Sequence, residues 1–259
     1  MGGQYSTQVA KGKETPDVEY TVVFEKEPFA EGGCRFCYRG TLSVSGAGPR
    51  NGEKCVVKVF KDKVAKHIGD WRPDLYSSEL LRALARAFNE GFKPNKPIFV
   101  TKPFIVKVTQ ASAFWLLWLI PVEAGKVKTD ELVSVEHFYE GKYEKFNSNT
   151  GWVSDSIGES LPAFSHWSWS TRLNSSHPSI SYYLVCDLQG VKEDNGYYLT
   201  DPAIHSKARA FGLTDLGEKG IETFFFTHKC TSFCRDLPLP QNHRQLLKPV
   251  RSTMFTFQL

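Results

Sequence analysis

The stretch Leu184-Val185-Cys186-Asp187-Leu188-Gln189-Gly190 sets an acid and an amide two residues apart within an apolar run. Side chains alternate across a strand, so Asp187 and Gln189 are predicted on one face and Leu184, Cys186 and Leu188 on the other. Gly190 is predicted to end the strand. An acid presented at a strand terminus can orient a hydroxyl nucleophile, and an amide oxygen beside it can ligate Mg²⁺. Downstream, Leu199-Thr200-Asp201-Pro202 places a second acid in a turn. Asp201 is either a further oxygen ligand for a hard cation or a turn cap, a common role for Asp before Pro.

Working outward toward the N-terminus, Cys55-Val56-Val57-Lys58-Val59-Phe60 reads as a strand with Val56, Lys58 and Phe60 on one face. If that face is buried, the Lys58 ammonium needs an anionic partner, because an unpaired buried charge is expensive. Nucleotide phosphates are such a partner in phosphoryl-transfer enzymes. The alternative is an edge-strand lysine pointing into water. Upstream, Phe29-Ala30-Glu31-Gly32-Gly33-Cys34-Arg35-Phe36 carries paired glycines. They either let backbone amides approach a phosphate or make an ordinary hairpin.

Toward the C-terminus, His228-Lys229-Cys230-Thr231-Ser232-Phe233-Cys234 offers His-x-Cys-x3-Cys. These are three zinc-type ligands, and a structural site needs a fourth. His166 and His205 are the candidates. A rival all-cysteine site would join Cys34 and Cys37 to Cys230 and Cys234, but it leaves His228 without a role. The bland reading is two buried free cysteines beside a surface histidine.

Composition sets the frame. The 259 residues are 41% apolar, 23% charged and 14% aromatic, an ordinary globular balance. This length suits one large domain or two small lobes sharing a cleft. A net charge of +4 is too small to argue for nucleic acid. With six cysteines but no opening signal-like segment, a reducing, cytoplasmic setting is expected. The longest apolar run, Ala113 to Val122, is far short of a membrane span. Met1-Gly2-Gly3-Gln4-Tyr5-Ser6 fits the N-myristoylation pattern; an acyl group on Gly2 would give weak membrane association, and a polar tail is the plainer reading.

Strands are predicted at Tyr20–Phe24, Phe36–Val44, Cys55–Phe60, Ile98–Val108, Ala113–Ile120 and Tyr182–Leu188. A turn over Ser45–Gly52 joins the second and third of these. A helix is predicted over Ser78–Glu90, with Leu80, Leu84 and Phe88 on its buried face, Ser78 as N-cap and Gly91 as stop. Val135–Asn149 reads as a charged, aromatic connector, and further helices are expected near Ser160–Ser168 and Leu216–Cys234.

Taken in order, these motifs resemble the alpha-kinase family of atypical protein kinases over roughly residues 20–240. The markers are Pro28-Phe29-Ala30-Glu31-Gly32 with Arg35, Val56-Val57-Lys58, Val135-Glu136, Gly141 and Lys145-Phe146-Asn147-Ser148-Asn149. Ala163-Phe164-Ser165-His166-Trp167, Asp187-Leu188-Gln189-Gly190-Val191 and Leu199-Thr200-Asp201-Pro202 follow. Phe211-Gly212, Leu216-Gly217-Glu218-Lys219-Gly220-Ile221 and His228-Lys229-Cys230 with Cys234 close the set.

The resemblance implies an α+β, two-lobed kinase-like fold. A flexible tail over 1–18 would precede an N-lobe over about 19–137, an antiparallel sheet with one long helix. A mixed, zinc-containing C-lobe would span about 138–240, with a second tail over 241–259. The implied activity is transfer of the ATP γ-phosphate to Ser or Thr of protein substrates. Lys58 would contact the phosphates, with Gly32, Gly33 and Arg35 in the nucleotide loop, Glu136 beside the adenine and Asn149 near the nucleotide. Asp187 would orient the substrate hydroxyl, and Gln189 and Asp201 would ligate Mg²⁺. The resemblance takes His166, with His228, Cys230 and Cys234, as the zinc set, and associates the Gly212–Gly220 segment with peptide substrate. Two stretches depart from the family pattern: Asn174–Ser179 looks like an insertion, and Lys192–Gly196 looks long enough to displace Asp201. No core acid is missing, which argues against the alternative, a catalytically silent, zinc-stabilised adaptor.

Overall fold

The computed structural model describes residues 7–15, 18–45, 51–65, 70–116, 120–123, 125–171 and 183–240. The Met1–Ser6 motif, most of the predicted turn over 46–50, the Asn174–Ser179 stretch and the tail from 241 lie outside them. The fold is α+β and divides into two units, one of residues 1–71 and 103–138, the other of residues 72–102 and 139–259. In chain order the first unit supplies β1 (Thr7–Thr15), β2 (Val18–Glu25), β3 (Ala30–Glu31), β4 (Arg35–Val44), β5 (Glu53–Phe60) and α1 (Asp62–Ala65). The second unit takes α2 (Arg72–Phe92) and β6 (Ile98–Val100). The chain returns for β7 (Phe104–Gln110), β8 (Ala113–Leu116), β9 (Ile120–Glu123) and β10 (Leu132–His137). The second unit then adds β11 (Tyr143–Lys145), α3 (Ser160–Ser170), β12 (Tyr183–Cys186), β13 (Gln189–Glu193), β14 (Gly196–Thr200), β15 (Ala203–Ser206) and α4 (Glu218–Thr227).

The first unit is a seven-stranded sheet in the order β2-β1-β7-β10-β5-β4-β3, and it curls until β2 also pairs with β4. Its pairings are antiparallel. Alternation explains the curl's contents: Tyr20, Val22 and Phe24 of β2 point inward with Val57, Val59 and Val135. The expected flexible tail is corrected here, because residues 7–15 form β1, paired with β2 and β7. Its inward positions are Gln8 and Ala10, both fully buried. The Gln8 amide donates to the Glu25 carbonyl at 2.9 Å and accepts from the Ser112 N–H at 3.4 Å. A strand this polar escapes notice in sequence because its buried side chain is an amide satisfied by backbone partners.

The long helix differs from expectation in extent and in company. Helix α2 starts at Arg72, with Pro73 and Asp74 in the first turn, where no amide needs an intrahelical acceptor and an acid suits the dipole. Ser78 is not its N-cap; it is buried inside the helix and donates to the Thr101 carbonyl at 2.8 Å. Gly91 does not stop it, and the chain leaves helical geometry at Lys93, φ 47°. Leu81, Leu84 and Phe88 enter the second unit's core with Phe146, Leu161 and Phe164, so the helix belongs to that unit. The predicted strand Ile98–Val108 is two strands broken at Pro103, one in each unit.

The second unit also holds a sheet ordered β11-β13-β14-β6 and a separate ladder of β12 with β15. Asp194 and Asn195 make a two-residue hairpin between β13 and β14, so the stretch expected to displace Asp201 is absorbed as ordinary ladder. The helix expected over Leu216–Cys234 is α4 alone, followed by a short 3-10 turn at Ser232–Cys234. Among the described residues no helix is long and apolar enough to cross a membrane.

Removing the Gln8 amide strands two buried backbone groups. We expect Gln8→Ala to lower unfolding free energy by about 1–3 kcal/mol in urea denaturation, whereas no change would restore the tail reading.

Candidate active site and metal centre

The two acids are set by one ladder. β12 and β15 pair antiparallel with Cys186 opposite Ala203, so Asp187 directly follows the ladder on one strand and Asp201 precedes it on the other. Both leave the strand with left-handed backbone, φ 55° at Asp187 and 48° at Asp201. The sequence expectation of one strand carrying Asp187 and Gln189 on a shared face is therefore corrected: β12 ends at Cys186, the chain turns at Asp187, and β13 begins at Gln189. The two side chains meet nonetheless. Gln189 Nε2 donates to Asp187 Oδ2 at 3.1 Å and to the Asp201 carbonyl at 3.2 Å. Both bonds use the amide nitrogen, so the Gln189 carbonyl oxygen takes no part in them. Gly190 sits within β13 and not at its end; at φ 150°, a Cβ there would lie 2.0 Å from the Tyr198 carbonyl.

Two further residues complete this corner, and neither was given a role from sequence. Lys145 Nζ lies 2.7 Å from Asp187 Oδ1. Asn147 is buried and accepts the Leu188 N–H on Oδ1 at 2.7 Å, while the Phe146 N–H donates to the Leu188 carbonyl at 2.8 Å. The backbone between the acid and the amide is thus clamped on both sides. Lys145 and Asn147 lie within the Lys145–Asn149 marker, which was the available signal. Asn149 itself is turned to the glycine-rich segment, donating from Nδ2 to the Thr214 carbonyl at 3.3 Å.

In the first unit the alternation predicted for Cys55–Phe60 holds. Val56, Lys58 and Phe60 are all buried, on the face opposite Val57 and Val59. Lys58 is no edge lysine: it lies between β4 and β10, paired with Cys37 and Ser134. Its ammonium is 2.5 Å from Glu136 Oε1, and both side chains are about 5% exposed or less. The Arg35 guanidinium stands 5.6 Å from the Phe60 ring and 5.5 Å from that of Trp71, which stack on each other at 4.0 Å. Gly32 and Gly33 are exposed, and a Cβ on Gly33 would meet no described atom within 4 Å. Packing does not require those glycines, which leaves the loop backbone open to approach.

The metal-ligand set assembles within the second unit. One ligand atom from each of His166, His228, Cys230 and Cys234 lies within 4.8 Å of the others. Cys230 Sγ is 3.9 Å from His166 Nδ1, and Cys234 Sγ is 3.6 Å from His228 Nε2. Tetrahedral zinc with ordinary Zn–N and Zn–S bonds gives ligand separations of about 3.3–3.8 Å, so the donor set fits such an ion. His166, fully buried on α3, has Nε2 2.8 Å from the Pro238 carbonyl, which can only accept. That fixes the proton on Nε2 and leaves Nδ1 as the lone pair facing the cluster. Helix α4 stops at Thr227, whose hydroxyl takes the Phe224 carbonyl at 3.2 Å, and the chain turns back toward α3. Burial pushes the His228 pKa down to about 4, with His166 adding to the fall, so the ring is neutral at pH 7. Burial raises the Cys230 thiol, a cost that a bound cation reverses.

The rival ligands are accounted for. Among the described residues the atoms gathered with Cys230 and Cys234 are those of His166 and His228, and Cys34 and Cys37 are not in that group. His205 already has a partner on each ring nitrogen, the Leu216 N–H on Nδ1 and the Asn149 carbonyl on Nε2.

With this geometry in view, the similarities are specific. The profile of the alpha-kinase family matches residues 30–234, and the chain belongs to that family. It is 31% identical over 231 residues to alpha-protein kinase vwkA of Dictyostelium discoideum, covering 86% of this chain and 32% of that protein. It is 32% identical to alpha-protein kinase 1 of the same organism, covering 91% of this chain and 15% of the relative. With the Homo sapiens eukaryotic elongation factor 2 kinase it shares 30% identity, covering 86% and 27%. The chain therefore spans under a third of the length of these relatives. The crystal structure of a C-terminally truncated alpha-kinase domain of myosin heavy chain kinase superposes with a TM-score of 0.65 at 26% identity, covering 92% of this chain and 99% of that one. The myosin-II heavy chain kinase A domain in complex with AMP-PNP shares the fold, with a TM-score of 0.68 at 24% identity, covering 93% and 98%.

Gly190→Ala tests the turn that joins the acid to the amide. We expect it to destabilise the protein by more than about 1 kcal/mol, read as a lowered midpoint in thermal unfolding, because the Tyr198 backbone cannot yield without opening the β13–β14 ladder.

Proposed function

We propose that the chain is a protein serine/threonine kinase that transfers the γ-phosphate of ATP to a protein hydroxyl. The observation that carries this reading is the Asp187–Gln189–Asp201 corner, where an acid, an amide and a second acid meet at one end of a single ladder in an alpha-kinase-family chain. Magnesium-bound ATP would supply the transferable phosphoryl group, and Gln189 Oε1 and the Asp201 carboxylate are the oxygens suited to hold the cation. Lys58 would bind nucleotide phosphates, held extended by Glu136 from the neighbouring strand, and Glu136 would also border the adenine. Gly32, Gly33 and Arg35 would line the loop over the phosphates, and Asn149 would lie near the nucleotide. Asp187 would orient the substrate hydroxyl, with Lys145 fixing one of its oxygens and Gln189 the other. Little covalent chemistry is asked of the protein in such a transfer, so rate depends on alignment and on charge neutralisation. The Gly212–Gly220 segment, exposed at Gly212, Leu213 and Thr214, would carry the peptide.

His166, His228, Cys230 and Cys234 would hold a structural zinc, closed to substrate because all four positions are protein ligands. Its contribution is a cross-link between α3 and the chain after α4. A cytoplasmic setting suits free thiols and a nucleotide substrate.

Lys58→Met and Asp187→Asn should each reduce labelled-phosphate incorporation at least about a hundredfold with near-UV circular dichroism unchanged. Full activity in a folded Asp187→Asn protein would refute the role of the acid. Wild-type protein that incorporates no phosphate would leave the adaptor reading standing. Elemental analysis should find close to one zinc per chain, lost together with thermal stability in a Cys230→Ser, Cys234→Ser double variant.

A further inference from the structure

His205 lies on β15 opposite Leu184 of β12, fully buried, and three separate segments converge on its ring. The Leu216 N–H is 3.0 Å from Nδ1. The Asn149 carbonyl is 2.9 Å from Nε2, and Cys186 Sγ, next to the first acid, is 3.3 Å from the same nitrogen. A backbone amide only donates and a carbonyl only accepts, so the ring is the neutral tautomer with its proton on Nε2. Burial, which lowers its pKa, acts in the same direction. Helix α4 approaches so closely that a Cβ on Gly220 would sit 2.4 Å from the ring carbon Cδ2.

Beside it is Asp215, also buried, whose carboxylate is filled by other donors. It accepts from the Ser206 N–H at 2.9 Å, the Ser206 hydroxyl at 2.7 Å, the Phe211 N–H at 3.2 Å and the Gly217 N–H at 2.9 Å. These two buried acceptors hold the glycine-rich segment from beneath. Gly212, Leu213 and Thr214 stand out in solvent above them, Leu213 with 61% of its surface exposed. Asn149 closes the circuit, with its side chain on the Thr214 carbonyl and its own carbonyl on His205.

We infer that His205 is a positioning residue of the phosphotransfer site. Through Nδ1 it fixes the glycine-rich segment, and through Nε2–H it fixes the Asn149 turn, tying both to the ladder that carries Asp187 and Asp201. This rests on the kinase reading above, in which the first segment carries peptide and the second borders nucleotide. A residue this engaged looks from sequence like a spare metal ligand, whereas its two nitrogens serve two backbone groups of opposite polarity.

Two substitutions separate the two bonds. His205→Asn keeps an acceptor near the Nδ1 position and removes the donor to Asn149. His205→Gln keeps a donor near the Nε2 position and removes the acceptor for Leu216. With ATP and a degenerate serine/threonine peptide mixture, His205→Gln should raise the peptide KM about tenfold, the effect of one lost positioning hydrogen bond, and leave the ATP KM little changed. His205→Asn should do the reverse. Zinc content should match wild type in both. Equal shifts of the two KM values in both variants, or a change in melting temperature alone, would reduce His205 to a packing residue and overturn the inference. Amide hydrogen exchange reads the same coupling without activity: the Leu216 amide should exchange about tenfold faster in His205→Gln and keep its protection in His205→Asn. Unchanged Leu216 exchange in His205→Gln also overturns it. If neither variant folds, Gly220→Ala, which crowds the intact ring, should accelerate exchange at Leu216, and an unchanged rate there counts against the inference. Wild-type protein without phosphotransfer would sink the kinase reading, while the exchange experiment would still decide the coupling.

Discussion

The second unit is organised around a constraint that four residues on each of two strands impose. Because β12 and β15 pair with Cys186 opposite Ala203, the chain must deliver Asp187 and Asp201 to the same end of one short ladder. Both acids leave it in left-handed backbone, which costs about 1–3 kcal/mol at each non-glycine position and persists only where the surroundings over-determine it. Here they do. Asn147 fixes the Leu188 amide, Gln189 bridges the Asp187 carboxylate to the Asp201 backbone, and His205 anchors the strand that follows. Strain at the acids and satisfied polar groups beneath them are two aspects of one arrangement, in which loosening any supporting bond lets the acids relax apart.

The Cys/His cluster lies beside a small satellite core around α4, formed by Leu184, Ile221, Phe224 and Phe225. Among the described residues after α4, Cys234 reaches the main core, with Phe233 and Leu237 packed against it. A cation bound by His166, His228, Cys230 and Cys234 would add a cross-link between α3 and this segment. The His228 ring already stacks on Phe224 at 4.9 Å, and His166 meets Phe225 edge-on at 5.1 Å. The ligands are therefore walled by aromatic surface, and their lone pairs converge because the Pro238 carbonyl and the end of α4 leave them no other orientation.

How much of this is legible in the sequence depends on what sets each feature. Alternation placed Lys58 with Val56 and Phe60 because β5 is one uninterrupted strand, here buried on both faces from Cys55 to Phe60. The same argument failed at Asp187, where the chain turns between two strands that happen to abut. The acid and the amide still meet, but through a hydrogen bond and not through a shared face. The Cys/His cluster was legible because residue type and spacing carry it. Gln8, Asn147 and His205 were not, since each is a polar side chain whose partners include backbone groups from separate segments of the chain. Asp215 was not either, because its carboxylate folds its own segment back through Ser206, Phe211 and Gly217. No local pattern encodes a backbone carbonyl contributed from dozens of residues away. Ser78 and Gly91 misled for the opposite reason: they carry the right residue types for helix ends, but the helix is longer than its apolar periodicity.

Lys58 is held by Glu136 within the first unit, and Lys145 by Asp187 within the second. A buried ammonium without its carboxylate would be costly enough to neutralise or to unfold its strand. Glu136 therefore supports Lys58 on its strand, and in the proposed reaction phosphate oxygens would compete for the ammonium. In the second unit both oxygens of Asp187 are engaged, Oδ1 by Lys145 and Oδ2 by Gln189. A carboxylate contacted on both oxygens is oriented by its neighbours. In the proposed reaction Asp187 would offer a substrate hydroxyl a preferred direction, and a phosphoryl-transfer transition state asks the protein for alignment and charge balance more than for bond-making.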